Sequence, residues 1–178
     1  VAARDGLASA TFRKVAGHCG ISVRQIQYYF RSRENLMMSA LDYLEKLSHQ
    51  AWRLSLESME NSISLRAYLE TLIDRALPLD QDRLEFHLLW LSFAVQSVTD
   101  PALAQTAFRE GPERLERQVE DAFRAARRRG EIDSTCCPNT EASNFLHLLH
   151  GHGTSILVGK ESGDQAKARI SAYLDRLF

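Results

Sequence analysis

Several chemistries are missing from this chain before any fold is considered. Its 178 residues hold no glycine-rich phosphate loop, no Gly-x-Ser-x-Gly elbow and no His-Glu-x-x-His pair. No catalytic residue, resident metal or cofactor is therefore expected. Cysteine is scarce: Cys19, Cys136 and Cys137 make an odd count, and the last two are neighbours in sequence, which rarely bond each other. With no signal peptide visible, a reducing cytoplasm is the expected location. Alternating strand patterns, hairpin dipeptides and internal repeats are also missing, so the expected class is all-α. Ala142 to Gly159 carries no Asp, Glu, Lys or Arg. Asn144, His147, His150, His152 and three glycines within it argue against a membrane span.

Net charge is close to zero but unevenly spread. Residues 1–33 hold six Lys or Arg and one acid, a net +5, and the remaining residues carry −6. A basic end on an acidic body suits contact with a polyanion by that end alone.

The basic end contains FRKVAGHCGISVRQIQYYF, from Phe12 to Phe30. Val15, Ala16 and Cys19 give one face of a short helix, Gly20 suits a sharp turn, and Ile21 is placed to plug the corner. Ser22 and Gln25 have capping-box spacing, so a second helix opens at Ser22. Ile26 and Tyr29 are expected to turn inward against Val15 and Ala16. Two helices about a tight glycine turn make a helix-turn-helix. Val23, Arg24, Gln25, Gln27 and Tyr28 are left for a groove: arginine pairs with guanine O6 and N7, glutamine with adenine N6 and N7, and valine touches a thymine methyl. Arg31, Ser32 and Arg33 precede a further helix, whose first amides would seat a phosphate.

The run from Phe12 through Leu36 resembles the DNA-binding domain of TetR-type transcriptional regulators. The carrying elements are Tyr28, Tyr29 and Phe30, followed by Ser32, Arg33, Glu34 and Leu36. Gln27 and Arg33 depart from the usual Tyr and Lys. The resemblance implies a homeodomain-like three-helix domain over residues 1–36, with Val1 to Leu7 as the end of a partly missing first helix. Residues 37–178 would then form a helical ligand-binding and dimerisation domain. The expected DNA-binding set is Ser22, Val23, Arg24, Gln25, Gln27, Tyr28, Arg31 and Arg33.

From Glu34 the positions Leu36, Ala40, Leu44, Leu47, Ala51 and Leu54 step by three or four, predicting a long lever helix. Leu65, Leu69, Leu72, Ile73 and Ala76 predict another, stopped by Pro78. Phe86 to Val95 is apolar nearly all round and is expected to be central. Asp100 and Pro101 read as the cap and first residue of the next helix. Gly111 and Pro112 would bend or break it, and it resumes through Phe123 to Arg127, Arg128 and Arg129. That triplet reads as cations at a helix C-terminus before Gly130, rather than as a nucleic-acid patch. Helices from about Thr140 to Val158 and from near Asp164 complete the chain.

One helix-turn-helix meets few base pairs, so a two-fold homodimer on palindromic double-stranded DNA is expected. Leu146, His147, His150, Gly151, Gly153, Ile156 and Leu157, with Tyr173 and Leu174 of the last helix, are the expected interface, a four-helix dimer core that the resemblance also implies. Phe86, His87, Trp90, Phe93, Phe108 and Phe123 could line a pocket or fill a core. The resemblance favours a pocket for a small-molecule effector, largely apolar or aromatic given one polar member, and a repressor that the effector releases from its operator. Two rivals stand beside this. A metal-responsive regulator would use His147, His150 and Cys136 or Cys137. An all-helical interaction or enzymatic domain would never meet DNA.

Overall fold

The computed structural model describes residues 1, 5–6, 9–57, 63–99 and 110–178, without the side chains of 51, 54–57, 99 and 110. Among them are eight α-helices and no strand: α1 Phe12–Cys19, α2 Val23–Phe30, α3 Arg33–Glu57, α4 Leu65–Ala76, α5 Gln81–Thr99, α6 Glu110–Arg129, α7 Pro138–Leu157 and α8 Gly163–Leu174. None of the described helices is long and apolar enough to cross a membrane.

The first two helices form as their sequence dictates. The Thr11 hydroxyl accepts the Lys14 amide at 3.3 Å and opens α1. Gly20, at φ +67°, closes it in the left-handed conformation that glycine adopts without a Cβ penalty, and its N–H donates to Ala16 O. Ser22 and Gln25 exchange both capping-box bonds, at 2.9 and 3.2 Å. Ala16, Ile26 and Leu36 are the buried centre, with Phe12, Val15 and Phe30 packed on it. Two expectations are corrected here. Ile21 is 44 % exposed and plugs nothing, and Tyr29 is 76 % exposed. At roughly 100° per residue the inward position after Ile26 is four residues on, at Phe30, so Tyr29 swings to the flank.

Helix α3 runs for 25 residues, about 37 Å. It joins three apolar clusters in turn: Leu36 in the helix-turn-helix core, Met37 and Leu41 in a second cluster with Ala10, Leu89 and Phe93, and Trp52 in the main core. The expected row holds at Leu36, Ala40 and Leu44, but Leu47 leaves it and Met37 and Leu41 join the buried side. Leu47 is 43 % exposed, whereas Met37 and Leu41 are enclosed. Packing against α5 adds Met37 and Leu41.

The main core gathers Leu65, Leu69, Leu72 and Ile73 of α4, Val119, Phe123 and Ala126 of α6, Phe145 and Leu149 of α7, and Ala166, Ile170 and Leu174 of α8. Glu131, just past α6, accepts the Leu65 amide at 2.7 Å and so caps α4 from outside. Helix α6 is unbroken from Glu110, with Gly111 and Pro112 in its first turn, where a proline lacks no needed donor. Gly130 ends it at φ +74°; Arg129 pairs with Glu131 at 2.5 Å and Arg127 donates to Cys136 O at 3.1 Å. The cap expected at Asp100 and Pro101 lies outside the described residues. Helix α5 is not central: it buries Leu89 and Phe93, while Val95 is exposed and Val98 is 84 % exposed. A continuous apolar run says what a helix could bury, not how many neighbours it has.

Leu41→Ala is expected to lower the unfolding free energy by about 2–5 kcal/mol, and Leu47→Ala by under about 0.5 kcal/mol, in urea titrations of the full chain. Equal losses would show that the other stripe faces inward.

Candidate functional site

Once Ile26 and Phe30 are turned inward, α2 presents Arg24 and Tyr28 on the opposite side, flanked by Gln25, Tyr29 and Gln27. Tyr28 and Tyr29 are 79 % and 76 % exposed and meet edge to face at 5.5 Å. Two bare aromatic rings on one short helix are an unusual surface, and they sit on the basic end of the chain. Tyr29 is a member that sequence reading missed; counting helical angle through Tyr-Tyr-Phe would have found it. Val23 and Arg24 are exposed at the helix start. Ser22 and Gln25, also exposed, make the expected capping box with their side chains. Gln25 keeps only its amide nitrogen for any partner.

Arg31 links α2 to α3 with φ +59° and ψ −45°, its N–H donating to Gln27 O and the Ser32 N–H donating to Phe30 O at 2.6 Å. This is a γ-turn with positive φ, a conformation costing on the order of 1–3 kcal/mol in a residue with a Cβ. It reverses the chain in one residue, so that Ser32 Oγ accepts the Asn35 amide at 3.1 Å and starts α3. Arg31 is exposed just before the first amides of α3, where a phosphate seat is expected. The second guanidinium is used elsewhere: Arg33 is half-buried and its Nε donates to Ala10 O at 3.2 Å, fastening the segment before α1 to α3. Glu34, held below the ordinary carboxylate value by its own backbone amide and then by Ser32, shares those first amides.

The expected effector residues fall into three places. His87 and Trp90 reach α7 at Gly153 and His150, Phe86 lies beside His87, and Trp90 also packs on the cluster of Met37 and Leu41. Phe93 lies with Met37 and Leu41, Phe123 lies in the main core, and Phe108 is outside the described residues. His87 Nε2 donates to Ala76 O at 2.5 Å, which leaves Nδ1 as the acceptor. A Cβ on Gly153 would stand 3.3 Å from the His87 ring, so glycine is what lets the imidazole approach α7. Trp90 stacks on His150 with centroids 5.4 Å apart and planes 22° apart, and Phe86 meets His87 edge to face at 5.9 Å. The cluster thus gains His150, which sequence reading had placed at the dimer interface. Both imidazoles are held below their ordinary 6.5, chiefly by burial; the charge of Arg83 adds to this for His87, and those of His87 and His147 for His150. His150 keeps an open edge while Trp90 covers its face.

The expected dimer face divides in the same way. Leu146, Gly153 and Leu174 point into the subunit and are buried there, so they offer nothing outward. His147 and Gly151 are exposed, and Ile156, Leu157 and Tyr173 are half-exposed. Tyr173 donates to Glu141 at 2.6 Å and locks α8 to α7. Beside His147 and Gly151 a cleft of about 330 Å³ reaches Glu161. Glu161 is an enclosed carboxylate bonded by His152 Nδ1 and Arg169 Nη1, each at 2.6 Å. Burial opposes its charge, and the two bonds outweigh burial and hold it below its ordinary value. In sequence Glu161 reads as an ordinary loop charge, and nothing nearby signals partners eight and nine residues away. Among the described residues no three His, Cys, Asp or Glu gather as metal ligands. His147 Nδ1 is instead occupied by Ser143 O at 2.7 Å.

Residues 65–178 match the family of BetI-type transcriptional repressor C-terminal domains. None of the curated proteins matches the chain. Among solved structures, a transcriptional regulator of Saccharomonospora viridis in complex with choline superposes with a TM-score of 0.88 at 20% identity, covering 98% of this chain and 89% of that one. A TetR-family regulator of Rhodococcus sp. gives 0.83 at 22% identity, covering 99% and 91%. A TetR regulator of Haloarcula marismortui gives 0.84 at 18% identity, covering 99% and 91%.

Because the two imidazoles titrate lower when folded, the unfolded chain takes up more protons below pH 6.5. Their contribution is present above that pH and is lost as pH falls through the folded values. Melting temperature is expected to decline from pH 7 to 5.5, and His87→Gln to flatten the decline; an unchanged slope would remove His87 from this role.

Proposed function

The chain belongs to the TetR family of transcriptional regulators, with a C-terminal domain of the BetI type, and from that premise we propose a homodimeric repressor released from a palindromic operator by a small cationic effector. Residues 1–36 are the reading unit and residues 37–178 bind effector and partner. It acts in the cytoplasm, where the operator lies. Arg24, Gln27, Tyr28 and Tyr29 with Val23 meet base edges, and Arg31 with the start of α3 meets phosphate. Outward residues of α7 and α8, among them His147, Gly151 and Ile156, face the second copy.

The observation that carries this reading is the membership of α3 in all three apolar clusters. Helix α5 lies between α7 and α3. His87 and Trp90 reach α7, Leu89 and Phe93 pack against Met37 and Leu41, and Trp90 touches that second cluster as well. A ligand among the aromatic rings moves α5, and α3 follows because it shares that cluster. Leu36 then carries the movement into the helix-turn-helix core. The two reading helices of the dimer lose the separation their half-sites require. The shift is limited to the ligand's preference for the released pose.

The effector proposed is a quaternary ammonium compound rather than a wholly apolar one. The Saccharomonospora viridis structure contains choline. Here Phe86 and Trp90 offer ring faces that attract a cation. His87 and His150, depressed in pKa, remain neutral near pH 7 and do not repel it.

On duplex selected from a random pool, Arg24→Ala is expected to cost about 1–3 kcal/mol at one base position and relax preference there. Arg33→Ala is expected instead to lower the melting temperature, since its guanidinium fastens Ala10. Binding that is indifferent to both sequence and salt would favour the rival interaction or enzymatic domain.

Choline is expected to weaken operator binding by the native protein and to leave Trp90→Ala on its operator with unchanged affinity, read by fluorescence anisotropy. Release of Trp90→Ala at the same choline concentration would place the effector elsewhere.

A further inference from the structure

Leu84, Leu88, Leu91, Val95 and Val98 recur on α5 at four, three, four and three, the spacing of a coiled-coil seam. At roughly 100° per residue all five fall within about 40° of one line along the helix. The row points away from α3, because Leu89 and Phe93, which meet Met37 and Leu41, stand on the opposite side. None of the five belongs to the three apolar clusters of the described residues. Leu84, Leu88 and Leu91 are half-buried, Val95 is 65 % exposed and Val98 is 84 % exposed. A lone exposed valine needs no explanation, but a regular apolar row left open to water marks a surface that another body covers.

The row borders α7. His87 is three residues from Leu84 and four from Leu91, so it flanks the row, and a Cβ on Gly153 would stand 3.3 Å from its ring. Ala142 to Gly159 carries no Asp, Glu, Lys or Arg, and His147, His150, Gly151 and Thr154 are exposed along it. The two neighbouring helices therefore present one uncharged surface. Its α7 part is short of apolar bulk, since Leu148, Ile156 and Leu157 are half-buried. Homodimer interfaces have an apolar centre, and α5 supplies what α7 lacks. Asp82 and Glu85 lie near the row, and Arg83, paired with Asp80 at 2.7 Å, is the one Lys or Arg on α5. Neither nucleic acid nor an anionic lipid surface suits that charge pattern.

We propose that the α5 row is covered by a second copy of this chain, as the continuation of the α7 and α8 dimer face. The inference rests on the homodimer reading above and extends it to a helix which that reading leaves out. A two-fold interface must be complementary to itself, and an uncharged apolar patch meets its own copy without setting like charges together.

The test is sedimentation equilibrium of the full chain without DNA. The native chain is expected to be a dimer. Val95→Glu and Val98→Glu are each expected to raise its dissociation constant at least about 100-fold, because the interface would strip a carboxylate of water and offer it no partner. Both positions face solvent in the single chain, so the new charge leaves the fold intact; far-ultraviolet circular dichroism checks this, and one folded variant of the two suffices. Leu47→Glu, altered at an exposed apolar position of α3, is expected to dimerise as the native chain does. A native dimer that the folded α5 variants retain, or equal weakening by Leu47→Glu, would overturn the α5 assignment alone. A native chain that sediments as a monomer would overturn the homodimer reading and this extension together.

Discussion

Everything in this molecule depends on one helix having its side chains divided among three apolar clusters. Leu36 completes the helix-turn-helix core, Met37 and Leu41 make the second cluster, and Trp52 enters the main core. Interiors pack like crystals, so a helix buried at three points cannot rotate at one of them alone. Neither end of α3 is free to settle for itself. The clusters on either side of it are small, and the second rests on α5 for Leu89 and Phe93. The stability of the N-terminal end is therefore not separable from the packing of α5 on α3.

The position of α5 gives that constraint a direction. It presents His87 to α7 and Leu89 and Phe93 to α3, with Trp90 touching both sides. Gly153 allows the His87 ring close to α7, and the Ala76 carbonyl fixes its tautomer. Burial lowers the pKa of His87 and His150 and so favours their neutral forms. The opposite side of the same helix packs Leu89 and Phe93 against Met37 and Leu41.

How much of this was legible in the chain depends on the range of the interaction. Local devices were readable: Gly20, the Ser22 and Gln25 box and Gly130 after α6 all act where their sequence places them. The all-helical class and the inward row of α4 followed from periodicity for the same reason. Choices made by a distant partner were not readable. On α3 the expected row held at Leu36 and Leu44, and packing against α5 added Met37 and Leu41. Tyr29 and Phe30 had equal apolar character, and only their angle about α2 separates them. Of the expected aromatic cluster, Phe86, Trp90 and Phe93 recur at four and three on α5, whereas His87 stands about 100° round the helix and meets Gly153 of α7. Phe93 and Phe123 leave it, and His150 enters, through helix–helix contacts that spacing does not encode. Glu161 shows the same limit for charge, since its partners come from two helices on either side of its loop.

The single residue between α2 and α3 has a mechanical meaning. Arg31 turns the chain within one strained γ-turn, with hydrogen bonds on both sides of it. A joint so short has no backlash. Whatever angle the long helix takes is handed to the short one undiminished, as a crank hands rotation to a shaft keyed directly to it. A looser connector would let the Tyr28 and Tyr29 surface wander while the body of the protein stayed still.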